Sequence, residues 1–158
     1  MLKVWISGAN GHLGQALCTR LDREKYQLIA TDVAEVDVTV PAEVRTFADT
    51  NRPDVIINCT GFNDEDGCET DPDRAYRVNA LGPRNLALAC EKINARLIHI
   101  STDYVFSGTA NGGVALDESA LPAPISAYGQ TKLLGETYVQ QFCRRHFIVR
   151  TAWLYSYY

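Results

Sequence analysis

Short apolar runs alternate along this chain with stretches of helical spacing. Residues 2–6, 27–31, 54–59, 97–101 and 147–151 read as strands, and residues 14–21, 41–50, 72–93 and 127–145 as helices. Pro41 suits the first turn of its helix. Within 72–93 the periodicity turns Ala75, Val78, Leu86 and Ala89 inward. Gly82-Pro83 should kink or split that helix, because proline has no N–H to give to the preceding turn. The strand segments are near-continuous apolar runs, which predicts a parallel sheet covered on both faces. The repeated β–α–β order therefore predicts an α/β fold: a doubly wound, Rossmann-like parallel sheet with helices on both faces. Its ligand crevice should lie at the carboxyl ends of the strands.

Residues 107–126 lack clear periodicity and contain Gly108, Gly112, Gly113, Pro122 and Pro124. The segment is longer than most connections in a compact domain. It reads either as a surface insertion or as a wall that delivers the next helix to the crevice. The last residues, Trp153-Leu154-Tyr155-Ser156-Tyr157-Tyr158, follow the fifth strand without a closing helix. They are expected to expose apolar surface, as a fragment would, or to bury that edge against something else.

Composition narrows the classes. A chain of 158 residues suits one domain. Its net charge of −4, with no basic stripe and no interleaved aromatics, argues against a nucleic-acid partner. Arg144-Arg145-His146 is expected at a helix end, where cations suit the macrodipole. No apolar run approaches the roughly 20 residues needed to cross a bilayer, so no membrane partner is expected. No leader pattern is visible. The five cysteines form no CxxC pair, so neither zinc nor a disulfide framework is expected, and the cytoplasm is the expected compartment. Cys18, Cys90 and Cys143 fall in helical patterns and suit small core positions. His12, His99 and His146 have no metal-ligand spacing, so no metal is expected; His99 lies inside a strand and is expected to be a satisfied core residue.

The polar residues that carry chemistry all fall at strand ends. Gly8-x-x-Gly11-x-x-Gly14 joins the first strand to the first helix. There Gly8 permits a tight turn, Gly11 lets backbone approach a pyrophosphate, and Gly14 allows close packing. The helix N-terminus supplies the positive end. Asp32 stands at the tip of the second strand, 18 residues past Gly14. A carboxylate there can accept from adenosine ribose hydroxyls and repel a 2′-phosphate, which favours NADH over NADPH. Asp37-Val38 is placed to flank the adenine. Thr60-Gly61 follows the third strand and Ser101-Thr102-Asp103 ends the fourth.

Tyr128 and Lys132 are four apart, on one helical face. A neighbouring ammonium should lower the tyrosine pKa from its usual value near 10, toward that of a general acid working near neutrality. Thr102 can hold a substrate oxygen, and Lys132 a nicotinamide ribose. Together these residues predict hydride transfer to or from a carbonyl carbon.

GANGHLG at 8–14, Asp32 with Asp37-Val38, Val78-Asn79-Ala80, STDYVFSG at 101–108, PISAYGQTKLLGE at 124–136 and RTAWLY at 150–155 carry a resemblance. The chain resembles the extended short-chain dehydrogenase/reductase superfamily, and within it the dTDP-4-dehydrorhamnose reductase family, the RmlD-like group. The resemblance implies a catalytic triad of Thr102, Tyr128 and Lys132. It implies dinucleotide contacts from Gly8, Asn10, Gly11, His12, Leu13, Gly14, Asp32, Asp37, Val38, Cys59, Thr60, Gly61 and Lys132. Asp103, Tyr104 and Trp153 would face a sugar nucleotide.

The implied reaction is reduction of the 4-keto group of dTDP-4-keto-6-deoxy-L-mannose to dTDP-L-rhamnose, by NADH or NADPH, with Tyr128 as proton donor. A homodimer stays open. The family usually carries Asp where Ser107 stands and Gly where Ser156 stands. It also continues well past Tyr158, so the chain is expected to hold the cofactor half and the triad, with the C-terminal substrate domain largely absent and turnover impaired.

Two alternatives use the same motifs: a non-catalytic regulatory subunit of the methionine adenosyltransferase type, and another NAD-dependent sugar-nucleotide epimerase, reductase or dehydratase. The dehydratase is disfavoured because Asp103 is followed by Tyr104 rather than Glu.

Overall fold

The computed structural model describes residues 1–108 and 115–156. Gly112, Gly113, Tyr157 and Tyr158 therefore lie outside the described residues. The elements run β1 Leu2–Ser7, α1 His12–Arg20, β2 Tyr26–Thr31, α2 Pro41–Asn51, β3 Val55–Asn58, α3 Glu65–Thr70 and α4 Pro72–Tyr76. A π turn, Arg77–Leu81, leads into α5 Gly82–Ile93 and β4 Arg96–Thr102. A 3₁₀ turn, Asp103–Val105, precedes α6 Ala127–Phe142 and β5 His146–Thr151. The five strands form one sheet in the order β2-β1-β3-β4-β5, every pair parallel. That order reverses direction between β1 and β3, which is where a doubly wound sheet opens its crevice.

Alternation along the strands sends neighbouring residues to opposite faces. On one face Trp5, Ile56 and Leu97 pack against Val44 and Ala48 of α2, Leu86 and Cys90 of α5, and Val139 of α6. On the other, Val4, Ile6 and Ile57 pack against Leu17 and Cys18 of α1. The Trp5 indole N–H is satisfied by Thr31 Oγ1 at 2.8 Å. Both faces are thus covered at the sheet centre. The edge β5 differs from its apolar reading: Phe147 and Val149 stay 60% and 44% exposed, while Ile148 turns into the core between them.

Three boundaries moved for identifiable reasons. The break in 72–93 falls just before Gly82-Pro83, as a π turn whose wider ring lets Gly82 N–H reach Arg77 carbonyl. Helix α6 stops at Phe142, because Cys143 is extended. Arg144-Arg145-His146 therefore lies beyond the helix rather than on it, with Arg144 paired to Glu91 at 2.6 Å and His146 opening β5. Helix α3 was absent from the periodicity. It is one and a half turns long and is held by Asp64, whose carboxylate accepts from Gly67 N–H.

Cys90 and Cys143 are buried and Cys18 half-buried, all as thiols. His99 is wholly buried as expected, but only half satisfied. Its Nδ1 meets Asn58 Nδ2 at 3.1 Å and its Nε2 has no hydrogen-bond partner among the described residues. Burial holds its pKa well below the usual value, with the nearby Lys132 charge adding to the effect.

Candidate active site

The turn after β1 is shaped by two glycines. Gly8 has φ +77°, and a Cβ there would lie 2.8 Å from Thr60 N. A Cβ on Gly14 would sit 2.2 Å from Gly8 carbonyl oxygen, so the close packing expected of Gly14 is against the turn itself. Gly11 caps α1 in extended conformation without any side-chain hydrogen bond. The helix thus presents an uncapped N-terminus, whose first N–H groups and dipole favour an anion.

Helix α6 approaches from the other side. Ser126 caps it by accepting from Gly129 N–H at 3.1 Å. Gly129 lies so close to the 3₁₀ turn that a Cβ would meet Tyr104 carbonyl oxygen at 2.2 Å. That approach brings Tyr128 to Thr102 at the end of β4. Thr102 Oγ1 accepts from Tyr104 N–H, and lies against the Tyr128 phenol. The rings of Tyr104 and Tyr128 meet edge to face, centroids 5.5 Å apart. Residues returning from the long connection contribute as well: Ala123 N–H donates to Val105 carbonyl at 2.9 Å, and Pro124 packs on Gly129. None of the described residues of that connection lines the cavity; Ala123 and Pro124 instead hold the start of α6 against the 3₁₀ turn.

Between these two sides lies a cavity of about 560 Å³. It gathers Gly11, His12 and Leu13 from α1, Cys59 and Thr60 after β3, Thr102, Asp103 and Tyr104 after β4, Tyr128 and Lys132 from α6, and Trp153 after β5. These are residues expected at a triad, a dinucleotide and a sugar nucleotide, brought together from five separate elements.

Other expected residues stand apart. Asn10, Asp32, Asp37, Val38 and Gly61 do not line the cavity. The Asp32 carboxylate accepts from Asn10 N–H and Val33 N–H, at 2.9 and 2.8 Å. Asp37 accepts from Thr39. The Val38 side chain is buried in the core and packs on Gly82, which removes it from direct side-chain contact with a ligand.

Pattern reading missed Asn63 and Glu65, which also line the cavity. Asn63 Oδ1 accepts from Tyr128 hydroxyl at 3.4 Å, and a hydrogen bond to Glu65 raises the Tyr104 phenol. Both belong to the Asn63-Asp64-Glu65 entry into α3, whose acidic first turn was the available signal.

The electrostatics correct one expectation. The Tyr128 phenol is raised, not lowered: burial dominates, and only the Thr102 hydroxyl opposes it. Lys132 is wholly buried, and its ammonium is turned onto Ile100 carbonyl oxygen, to which it donates at 2.7 Å. Burial brings the Lys132 pKa down to about 8, against the opposing charge of Glu136. Burial likewise pushes the Cys59 thiol up to about 12, so it stays protonated. At neutral pH the cavity therefore presents a neutral phenol, a hydroxyl and a largely protonated ammonium. That set can donate a proton and hydrogen bonds to a substrate oxygen.

No group of three or more His, Cys, Asp or Glu side chains is placed to hold a metal ion among the described residues. Among the same residues no helix is long and apolar enough to cross a membrane.

Comparison with known proteins agrees with the fold. The family model described as RmlD substrate binding domain matches residues 2–158. The dTDP-4-dehydrorhamnose reductase of Mycobacterium tuberculosis is 40% identical over 153 residues, covering 96% of this chain and 50% of that protein. The crystal structure of a dTDP-4-dehydrorhamnose reductase from Bacillus anthracis, in complex with NADP, superposes with a TM-score of 0.96. It is 42% identical and covers 100% of this chain and 56% of that one. The corresponding structure from Clostridium acetobutylicum gives 0.95 at 42% identity, covering 99% and 55%. The chain spans about half the length of the curated relatives it matches.

Proposed function

The chain belongs to the RmlD substrate binding domain family, and we propose that it forms the dinucleotide-binding and proton-donating half of a reductase acting on a dTDP-4-keto-6-deoxy sugar. The single observation that carries this reading is the convergence of Thr102, Tyr128 and Lys132 on one cavity with the uncapped N-terminus of α1. The cradle fits a dinucleotide. A Cβ on Gly11 would meet nothing nearer than Gly8 carbonyl oxygen at 3.4 Å, so the turn is open to an approaching phosphate.

Gly11, His12 and Leu13 receive the pyrophosphate on the helix dipole. Lys132 holds the nicotinamide ribose, and Thr60 lines the same wall. A reduced nicotinamide, when bound, supplies the hydride for the carbonyl carbon. Thr102 Oγ1 donates to the carbonyl oxygen and Tyr128 Oη hands it a proton. The raised Tyr128 pKa keeps that proton in place until charge develops on the oxygen. Asp103, Tyr104 and Trp153 face the sugar nucleotide. The rest of that pocket we assign to the half of the relatives that this chain does not match.

Asp32 supports a finer proposal, a preference for NADH. Asp32 directly follows β2, a position at which a carboxylate disfavours a 2′-phosphate, and Val33, not an arginine, comes next.

The test is NADH oxidation by the complete protein with dTDP-4-keto-6-deoxy-L-mannose, alongside NADH binding to this chain. Binding with substrate-dependent oxidation supports the proposal. Neither binding nor oxidation, with a stoichiometric synthetase partner recovered instead, would favour the regulatory-subunit reading.

A further inference from the structure

Behind the cavity lies an ionic cluster that the proposed reaction leaves unused. Glu136, on α6, is 1% exposed. Its Oε1 accepts from Ser101 Oγ at 2.5 Å and from Arg150 Nε at 2.9 Å, and its Oε2 accepts from Arg150 Nη2 at 2.6 Å. Arg150 comes from β5, stays 22% exposed at its side chain, and stacks over Phe106 at 5.1 Å. Glu136 follows Lys132 by four residues, so it stands one helical turn below the ammonium on the same face. Ser101, its other hydrogen-bond partner, precedes Thr102 on β4.

A buried carboxylate is expensive unless paired, and this one is paired directly with Arg150 and stands one helical turn from Lys132. We propose that Glu136 is a positioning residue: it is the buried counter-anion of Lys132, and through Ser101 it ties the Thr102 end of β4 to α6. This deepens the reductase reading of Lys132 and Thr102 and rests on it. The other groups facing Lys132 are Cys59 after β3, His99 and Ile100 carbonyl on β4, and Tyr128 on its own helix. Cys59 and His99 are held in their neutral forms by burial. Glu136 is therefore the fixed negative charge beside the ammonium. Arg150 competes for it.

The competition gives opposite signs to two substitutions. Glu136→Gln removes the anion and leaves both cations uncompensated, so Lys132 should lose its proton at lower pH, by about one unit or more. Arg150→Gln removes the competitor, so Lys132 should hold its proton to higher pH. Glu136→Asp restores the charge and should recover most of the shift. A purely structural role would send both neutral variants the same way.

The experiment is a pH titration of the lysine side-chain nitrogens by NMR on this chain, with the Lys132 signal assigned by its loss in Lys132→Met. A fall in Glu136→Gln and a rise in Arg150→Gln support the proposal. An unmoved midpoint, or shifts of one sign, overturn it. If Glu136→Gln does not fold, the sign in Arg150→Gln decides alone. The readout needs neither dinucleotide nor turnover. A complete protein that fails to oxidise NADH while Lys132 shifts as stated would sink the reductase reading and leave Glu136 as the anion of Lys132.

Discussion

Gly129→Ala isolates the geometry of the site from its chemistry. The substitution adds one methyl group, on the residue after Tyr128. That methyl would sit 2.2 Å from Tyr104 carbonyl oxygen and 3.0 Å from Pro124 Cβ. The obstacle is backbone on one side and a ring on the other, so neither yields by a rotamer change. Relief to an ordinary contact of about 3.4 Å requires the start of α6 to retreat by about 1.2 Å.

Overpacking of this kind costs about 1–3 kcal/mol, and the better helix propensity of Ala returns about 1. The net loss is then about 0–2 kcal/mol, or a few degrees in Tm for a chain of this size. The catalytic loss should be larger. A misplacement of about 1 Å between Tyr128 and Thr102 costs on the order of 10²-fold in rate, roughly 2.7 kcal/mol of barrier. The dinucleotide cradle after β1 is untouched, so its Kd should stay within about threefold. The assay is steady-state NADH oxidation by the complete protein, paired with NADH titration and thermal melting. A folded variant with wild-type kcat would show that the approach of α6 to the 3₁₀ turn does not set the reaction geometry.

Three further outcomes follow from the same structure. Gly8→Ala forces a Cβ onto a residue at φ +77° that already crowds Thr60 N; urea melting should show a loss of about 1–3 kcal/mol, and NADH affinity should fall with it. Asp32→Ala should move the ratio of kcat/KM values for NADH and NADPH toward NADPH, and an unchanged ratio would remove Asp32 from the proposed preference. The folded Lys132 pKa, about 8, lies below its ordinary value, so the ammonium is present below pH 8 and lost as pH rises through it. NADH affinity should be flat from pH 6 to 7 and decline above 8, while Lys132→Met should be weak and flat throughout.

The central strands were legible because each buries both of its faces, and a run such as Val55-Ile56-Ile57 has no solvent side to mark with polar residues. The edge strand β5 read the same way, yet it leaves Phe147 and Val149 open. Apolar content alone does not say whether a neighbouring layer exists. The split near Gly82-Pro83 was legible from the missing proline N–H, whereas α3 was not, since six residues carry too little periodicity and only the Asp64 cap and the acidic turn after it signalled it.

In the site, spacing revealed Tyr128 and Lys132 because both sit on one helix. The direction of the Tyr128 shift was not legible, because burial and the turning of Lys132 onto Ile100 depend on packing. The pairing of Glu136 with Arg150 was equally hidden: helix and strand bring them together across 14 residues, and neither pattern names the other.

The central claim, that Tyr128 gives the proton while the β1 turn and α1 hold the dinucleotide, is tested most directly by Tyr128→Phe in the complete protein. Substrate-dependent NADH oxidation should be lost, with NADH binding kept within about threefold of wild type. Turnover retained near the wild-type rate, with the phenol gone and the fold intact, would contradict it.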